Sequence, residues 1–95
     1  MKQIYLVQAE WHYEGSTTIR AFASEARAND FRNKCANHHD KRTWYEGDDY
    51  ECAAYEKWSA KYDKWRESHP GGQSAVSADS FGVYAVYFDN KEPKP

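Results

Sequence analysis

The sequence has no apolar run long enough to span a membrane. Nor does it open with the basic, then apolar, then small-residue order of a signal peptide. A cytoplasmic location is the resulting expectation. Cysteine is scarce: Cys35 and Cys52 are the two in the chain, which suits a reducing compartment better than a disulfide scaffold. A basic excess is also missing. The formal net charge is −2, which argues against a protein whose main work is gripping phosphates. No nucleophile elbow, P-loop, dinucleotide fingerprint or paired-histidine metalloprotease motif occurs. The expectation is therefore a non-enzymatic protein without metal or cofactor.

Aromatic residues are plentiful, at 17% of the 95 residues. They supply large buried area per residue and offset a low aliphatic content. A chain of this length makes one domain and hides only about two-thirds of its unfolded surface. That domain is expected over residues 1–90, with 91–95 as a disordered tail.

Gln3 to His12 reads as a strand, with Tyr5, Val7, Ala9 and Trp11 on the face turned to the helices. Tyr13-Glu14-Gly15-Ser16 is a turn in which Gly15 is free to take positive φ. Thr17 to Ala23 returns as the second strand of an antiparallel hairpin. Ser24 is a good N-cap for a helix to about His38, whose apolar line is Ala28, Phe31 and Cys35. The segment from Asp40 to Asp49 has no clear period, although Thr43-Trp44-Tyr45 would serve as a short edge strand.

The stretch Tyr50 to His69 is the most strongly patterned in the chain. Tyr55, Trp58, Tyr62 and Trp65 recur at three, four and three residues and so share one helical face. Trp58 and Tyr62 are expected to be buried against the sheet face carrying Val7, Ala9 and Val83 or Ala85. His69-Pro70-Gly71-Gly72 stops the helix, and because no helix follows Gly71-Gly72 directly, the pair is no phosphate loop. Gly71 to Ser80 reads as a small, polar loop. Phe81 to Asp89 is apolar on both faces, as a central strand would be. The predicted fold is α+β in the order β-β-α-α-β: a three-stranded antiparallel sheet with two helices packed on one face.

Candidate chemistry is thin. Cys35, His38, His39 and Cys52 are metal-ligand residue types, but no CxxC pair or second ligand pair accompanies them, and Cys35 lies on an apolar line where cysteine acts as a small hydrophobe. A Cys35–His38 nucleophile would sit near the C-terminal end of its helix, where the dipole opposes a thiolate. Lys57, Lys61 and Lys64 line up on the second helix and form an alternative, nucleic-acid-binding face. The favoured site is Trp44, Tyr45, Glu46, Asp48, Asp49 and Glu51. Residues 46–56 hold five acids and no base, and aromatic anchors flanked by charge are what binding surfaces enrich. The plainer alternative is that Trp44 caps the core and the acids form a solvated loop and helix cap.

Three stretches, IYLVQAEWHYEGSTTIRAFASEARANDF, KWRESHPGG and FGVYAVYFD, give the chain a pattern that resembles a set of small uncharacterised phage and prophage accessory proteins. The resemblance implies a class of function and no particular residues. Small accessory proteins of phages often bind a host protein and block it, and anti-CRISPR and other anti-defence inhibitors are similar in size and charge; the resemblance implies a function of that kind. The resemblance implies a host protein or complex as partner; the acidic segment makes a basic surface on it the expectation, and no membrane is expected to be involved.

Overall fold

A computed structural model describes residues 2–88. The chain runs β1 (Lys2–Trp11), β2 (Gly15–Phe22), α1 (Glu25–Asp40), α2 (Ala53–Glu67), one 3-10 turn (Gln73–Ala75) and β3 (Ser80–Phe88). The strands form one antiparallel sheet in the order β2-β1-β3. The α+β architecture and the order of elements are those read from the sequence. The end of the third predicted strand, at Asp89, and the tail at 91–95 lie outside the described residues.

The hairpin turn is three residues long, since Trp11 pairs with Gly15. Gly15 takes φ +85°, the left-handed position that such a turn assigns to glycine. Ala9 then pairs with Thr17 and Gln8 with Thr18, but Val7 pairs with Arg20, so Ile19 is an extra residue in β2. In an unbroken register Arg20 and Phe22 would point to the far face of the sheet. The bulge turns both to the helix side, because side chains alternate with a period of two.

Ser24 caps α1, its Oγ accepting from the Arg27 N–H at 3.4 Å. Ala28, Phe31 and Cys35 are the buried line of this helix. They meet Val7, Ala9 and Phe81 from the sheet, with Tyr5, Trp11, Ile19, Phe22 and Val83 packed around them. The loop read as merely polar also contributes. Ala75, Val76 and Ala78 are buried, and the backbone N–H of Asp79 donates to the Glu10 carbonyl at 2.8 Å. Small side chains let this loop close over the end of the core.

Two expectations need correction. β3 is an edge strand, and β1 is the central one. The apolar far face of β3 is therefore left uncovered, with Tyr84 and Val86 exposed. The second correction concerns packing. α1 lies on all three strands, whereas α2 has no comparable packing on the sheet and no buried residue. Trp58 and Tyr62 thus do not meet Val7, Ala9, Val83 or Ala85. α1 and the 71–79 loop already cover the small helix-side face of the sheet, and α2 finds its cover elsewhere. The molecule is long as a result, with extents of 63 × 26 × 17 Å and a radius of gyration of 17.7 Å, against about 12 Å for a compact chain of this length.

Candidate functional site: the arm and its acidic tip

α2 and residues 42–52 fold against each other as an arm. Thr43 accepts from the Trp58 indole N–H through its carbonyl at 3.3 Å and its hydroxyl at 3.1 Å. Further out, the Tyr45 ring packs on Trp58, Tyr55 and Tyr50 at centroid distances of 5.9, 5.1 and 5.6 Å. Gly47 is needed there, because a Cβ at that position would collide with the Tyr45 ring. The chain turns at Cys52, the N-cap of α2, and returns as the helix. The expected edge strand at Thr43-Trp44-Tyr45 does not form. These residues run beside α2, whose rings offer more apolar area than a sheet edge.

The rings continue down α2 into the body. Trp58 stacks on Tyr62 at 5.2 Å, Tyr62 meets Trp65 at 5.5 Å, and Trp65 stacks on His38 at 5.5 Å. Trp65 is the joint. Its indole N–H donates to the His38 carbonyl at 2.6 Å, and His38 Nε2 lies 2.7 Å from the Trp65 carbonyl. Because Trp58 is only half-buried and its contacts stay within the arm, Trp58→Ala is expected to cost about 1–2 kcal/mol, nearer the worth of aromatic pairs than that of a core ring. A urea titration measures it. A loss as large as that of a fully buried ring would mean that the arm and the body share one core.

Below Trp65 lies a cluster of three imidazoles. The Gly71 N–H donates to His69 Nδ1 at 3.0 Å, so the neutral His69 ring carries its proton on Nε2. That N–H donates to His39 Nδ1 at 3.1 Å, and His39 Nε2–H donates to the Ala78 carbonyl at 2.7 Å. Each ring nitrogen of the pair is used once, and the chain closes only when both rings are neutral. Burial is the main cause that pushes His69 down to about 4, with His38, His39 and Arg42 adding to it. Burial likewise lowers His39. The two residues weighed as metal ligands at the end of α1 are thus committed to Trp65, His69 and Ala78. Cys35 is in the core, where burial pushes its thiol up to about 11. Among the described residues no group of three His, Cys, Asp or Glu side chains converges as a metal site.

The residues of the favoured site separate into three places. Glu46, Asp48, Asp49 and Glu51 are exposed in the turn at the outer end of the arm. Asp49 is partly structural, because its Oδ1 accepts from the Glu51 N–H at 2.9 Å. Tyr45 packs inward, and its hydroxyl donates to the Asp49 carbonyl at 2.6 Å. A hydrogen bond with Cys52, helped by partial burial, pushes that phenol up to about 12. The same bond, with backbone N–H groups of the first turn of α2, lowers the Cys52 thiol. Trp44 is 68% exposed and lies nearer the body, over the Arg42 guanidinium at 4.4 Å. Arg42 in turn donates to the Val76 carbonyl at 3.2 Å. The exposed ring beside the acids is Tyr50, at 64%. Its place within the acidic run was visible in the sequence, but nothing there separated it from Tyr45. Lys57, Lys61 and Lys64 are exposed on the outer side of α2.

No protein-family model, curated protein or solved structure matches this chain. Among the described residues no helix is long and apolar enough to cross a membrane.

Proposed function

We propose that the chain is a non-enzymatic protein-binding inhibitor of the anti-defence kind, which presents the tip of its arm to a basic, nucleic-acid-handling surface of a host complex. The observation that carries this reading is the placement of Glu46, Asp48, Asp49 and Glu51, exposed together in the turn that ends an arm projecting from the body. Clustered acids raise the local negative potential and steer a basic partner towards the tip. Exposed ion pairs are individually weak, about 0–1 kcal/mol, so an apolar anchor is needed beside them. Tyr50 fills that role at the tip, and Trp44 extends the contact along the arm.

The test is a pull-down from host lysate, with and without nuclease, using the wild-type chain and the double variant Glu46→Lys/Asp48→Lys. Asp49 is spared because its side chain holds the turn. The captured protein is expected to survive nuclease and to be lost with the double variant, whose melting temperature should stay within a degree or two because exposed loop positions contribute little to stability. The loss should be greatest at low salt, where screening is least. A capture that disappears with nuclease and is unaffected by the charge reversal would move the interface to Lys57, Lys61 and Lys64 and to nucleic acid.

A further inference from the structure

The cleft between the end of β2 and the first turns of α1 gathers charge of the opposite sign. Arg20, Phe22, Arg27, Asp30, Phe31 and Lys34 line a cavity of about 220 Å³ that opens to solvent. On α1, positions 27, 30, 31 and 34 share one face by their spacing of three and four. On β2, the bulge at Ile19 brings Arg20 and Phe22 round to the same side. The two phenyl rings are 5.6 Å apart and seat the guanidiniums. Arg20 lies 5.5 Å from the Phe22 centroid and 5.2 Å from that of Phe31, and Arg27 lies 5.9 Å from that of Phe22.

Three cations thus surround one concavity with a single carboxylate, Asp30. Among the described residues none of the three has an ion-pair or side-chain hydrogen-bond partner. Holding like charges around one opening is unfavourable unless an anion fills it. A guanidinium within cation–π distance of a ring is held near it before any ligand arrives and still has N–H groups to offer. A carboxylate is matched by one guanidinium fork, whereas a phosphate presents enough oxygens for two forks and an ammonium.

We propose that this cleft binds a phosphate group, free or carried by a nucleotide. Phe31 is buried and Phe22 has two guanidiniums at 5.5 and 5.9 Å from its centre, so a nucleotide's base finds little ring surface to stack on and contributes little. The net charge of −2 disfavours a long polyanion, and the site is local: the cleft lies along residues 27–34 of α1, while the arm leaves from the C-terminal end of that helix.

The test is a titration of the full chain, followed by amide NMR shifts at low ionic strength, with inorganic phosphate, pyrophosphate, AMP and adenosine in separate arms. Saturable shifts confined to residues 20–34 are expected with the three phosphate-bearing probes and not with adenosine. Pyrophosphate binding tighter than AMP would assign the site to free phosphates, and the reverse order to nucleotides. Arg27→Gln should weaken binding tenfold or more and Lys34→Gln severalfold. Both residues are exposed on α1, so their melts should match that of the wild type. Absence of saturable binding at millimolar phosphate would overturn the proposal, as would wild-type affinity in both variants or equal shifts with sulfate and chloride.

Discussion

Lowering the pH from 7 to 4.5 should remove about 2–3 kcal/mol of stability through His69 alone, a large share of the roughly 5–15 kcal/mol that holds a domain together. In the unfolded chain this imidazole titrates near 6.5, and in the folded chain near 4. The unfolded state therefore binds the proton first. The stabilising contribution is fully present above pH 6.5 and is lost progressively as the pH falls towards 4. The cause is visible in the hydrogen bonds. A proton on His69 Nδ1 would face the Gly71 N–H, and a proton on His39 Nδ1 would face the His69 N–H. No carboxylate compensates at His69, where His38, His39 and Arg42 all oppose the proton; at His39 the Asp40 carboxylate favours it, but burial and Arg42 outweigh Asp40.

Urea denaturation at half-unit steps from pH 7.5 to 4.5 measures the effect. The interval from 6.5 to 5 is the informative one, since most carboxylates are still ionised there. His69→Gln should be less stable than wild type at pH 7 and show a flatter slope across that interval. Equal slopes in the two proteins would sink the assignment and place the acid sensitivity elsewhere.

Trp65→Ala should cost about 3 kcal/mol or more, within the range for deleting a large ring from a packed site. The substitution removes the indole bond to the His38 carbonyl, the stack on His38, and the ring seated against His39, His69 and the Arg42 guanidinium. These contacts join the arm to the body. The loss is therefore expected to be uneven, which hydrogen exchange resolves by position. Amides of residues 55–67 should lose protection by far more than those of β1. A uniform loss of protection over the whole chain would show that arm and body unfold as one unit.

Both effects depend on contacts that the sequence conveyed only in part. The hairpin was legible because Gly15 sits where a three-residue turn needs it, and α1 because its buried line is short and its cap is a serine. The same periodic argument applied to α2 found the right face and the wrong partner. A stripe at helical spacing says that a face needs cover, not what covers it. Here the cover is Tyr45 and Tyr50, from a segment with no period of its own, together with the histidines at the foot of the arm. His38, His39 and His69 lie at the ends of two helices, and only packing brings the three rings together. The bulge at Ile19 left no trace in the pattern, so the convergence of Arg20 with Arg27 was hidden too. The alanines of the 71–79 loop looked like linker composition because small residues serve loops and tight cores alike.

The distribution of tryptophan has an optical consequence. Trp44, Trp58 and Trp65 belong to the arm, and Trp11 alone to the sheet. Intrinsic emission from this chain is therefore dominated by the arm, while far-ultraviolet dichroism weights the whole backbone, sheet included. Heating curves recorded by the two signals need not coincide. Where they part, the gap between them is the temperature range in which the sheet and α1 persist under a loosened arm.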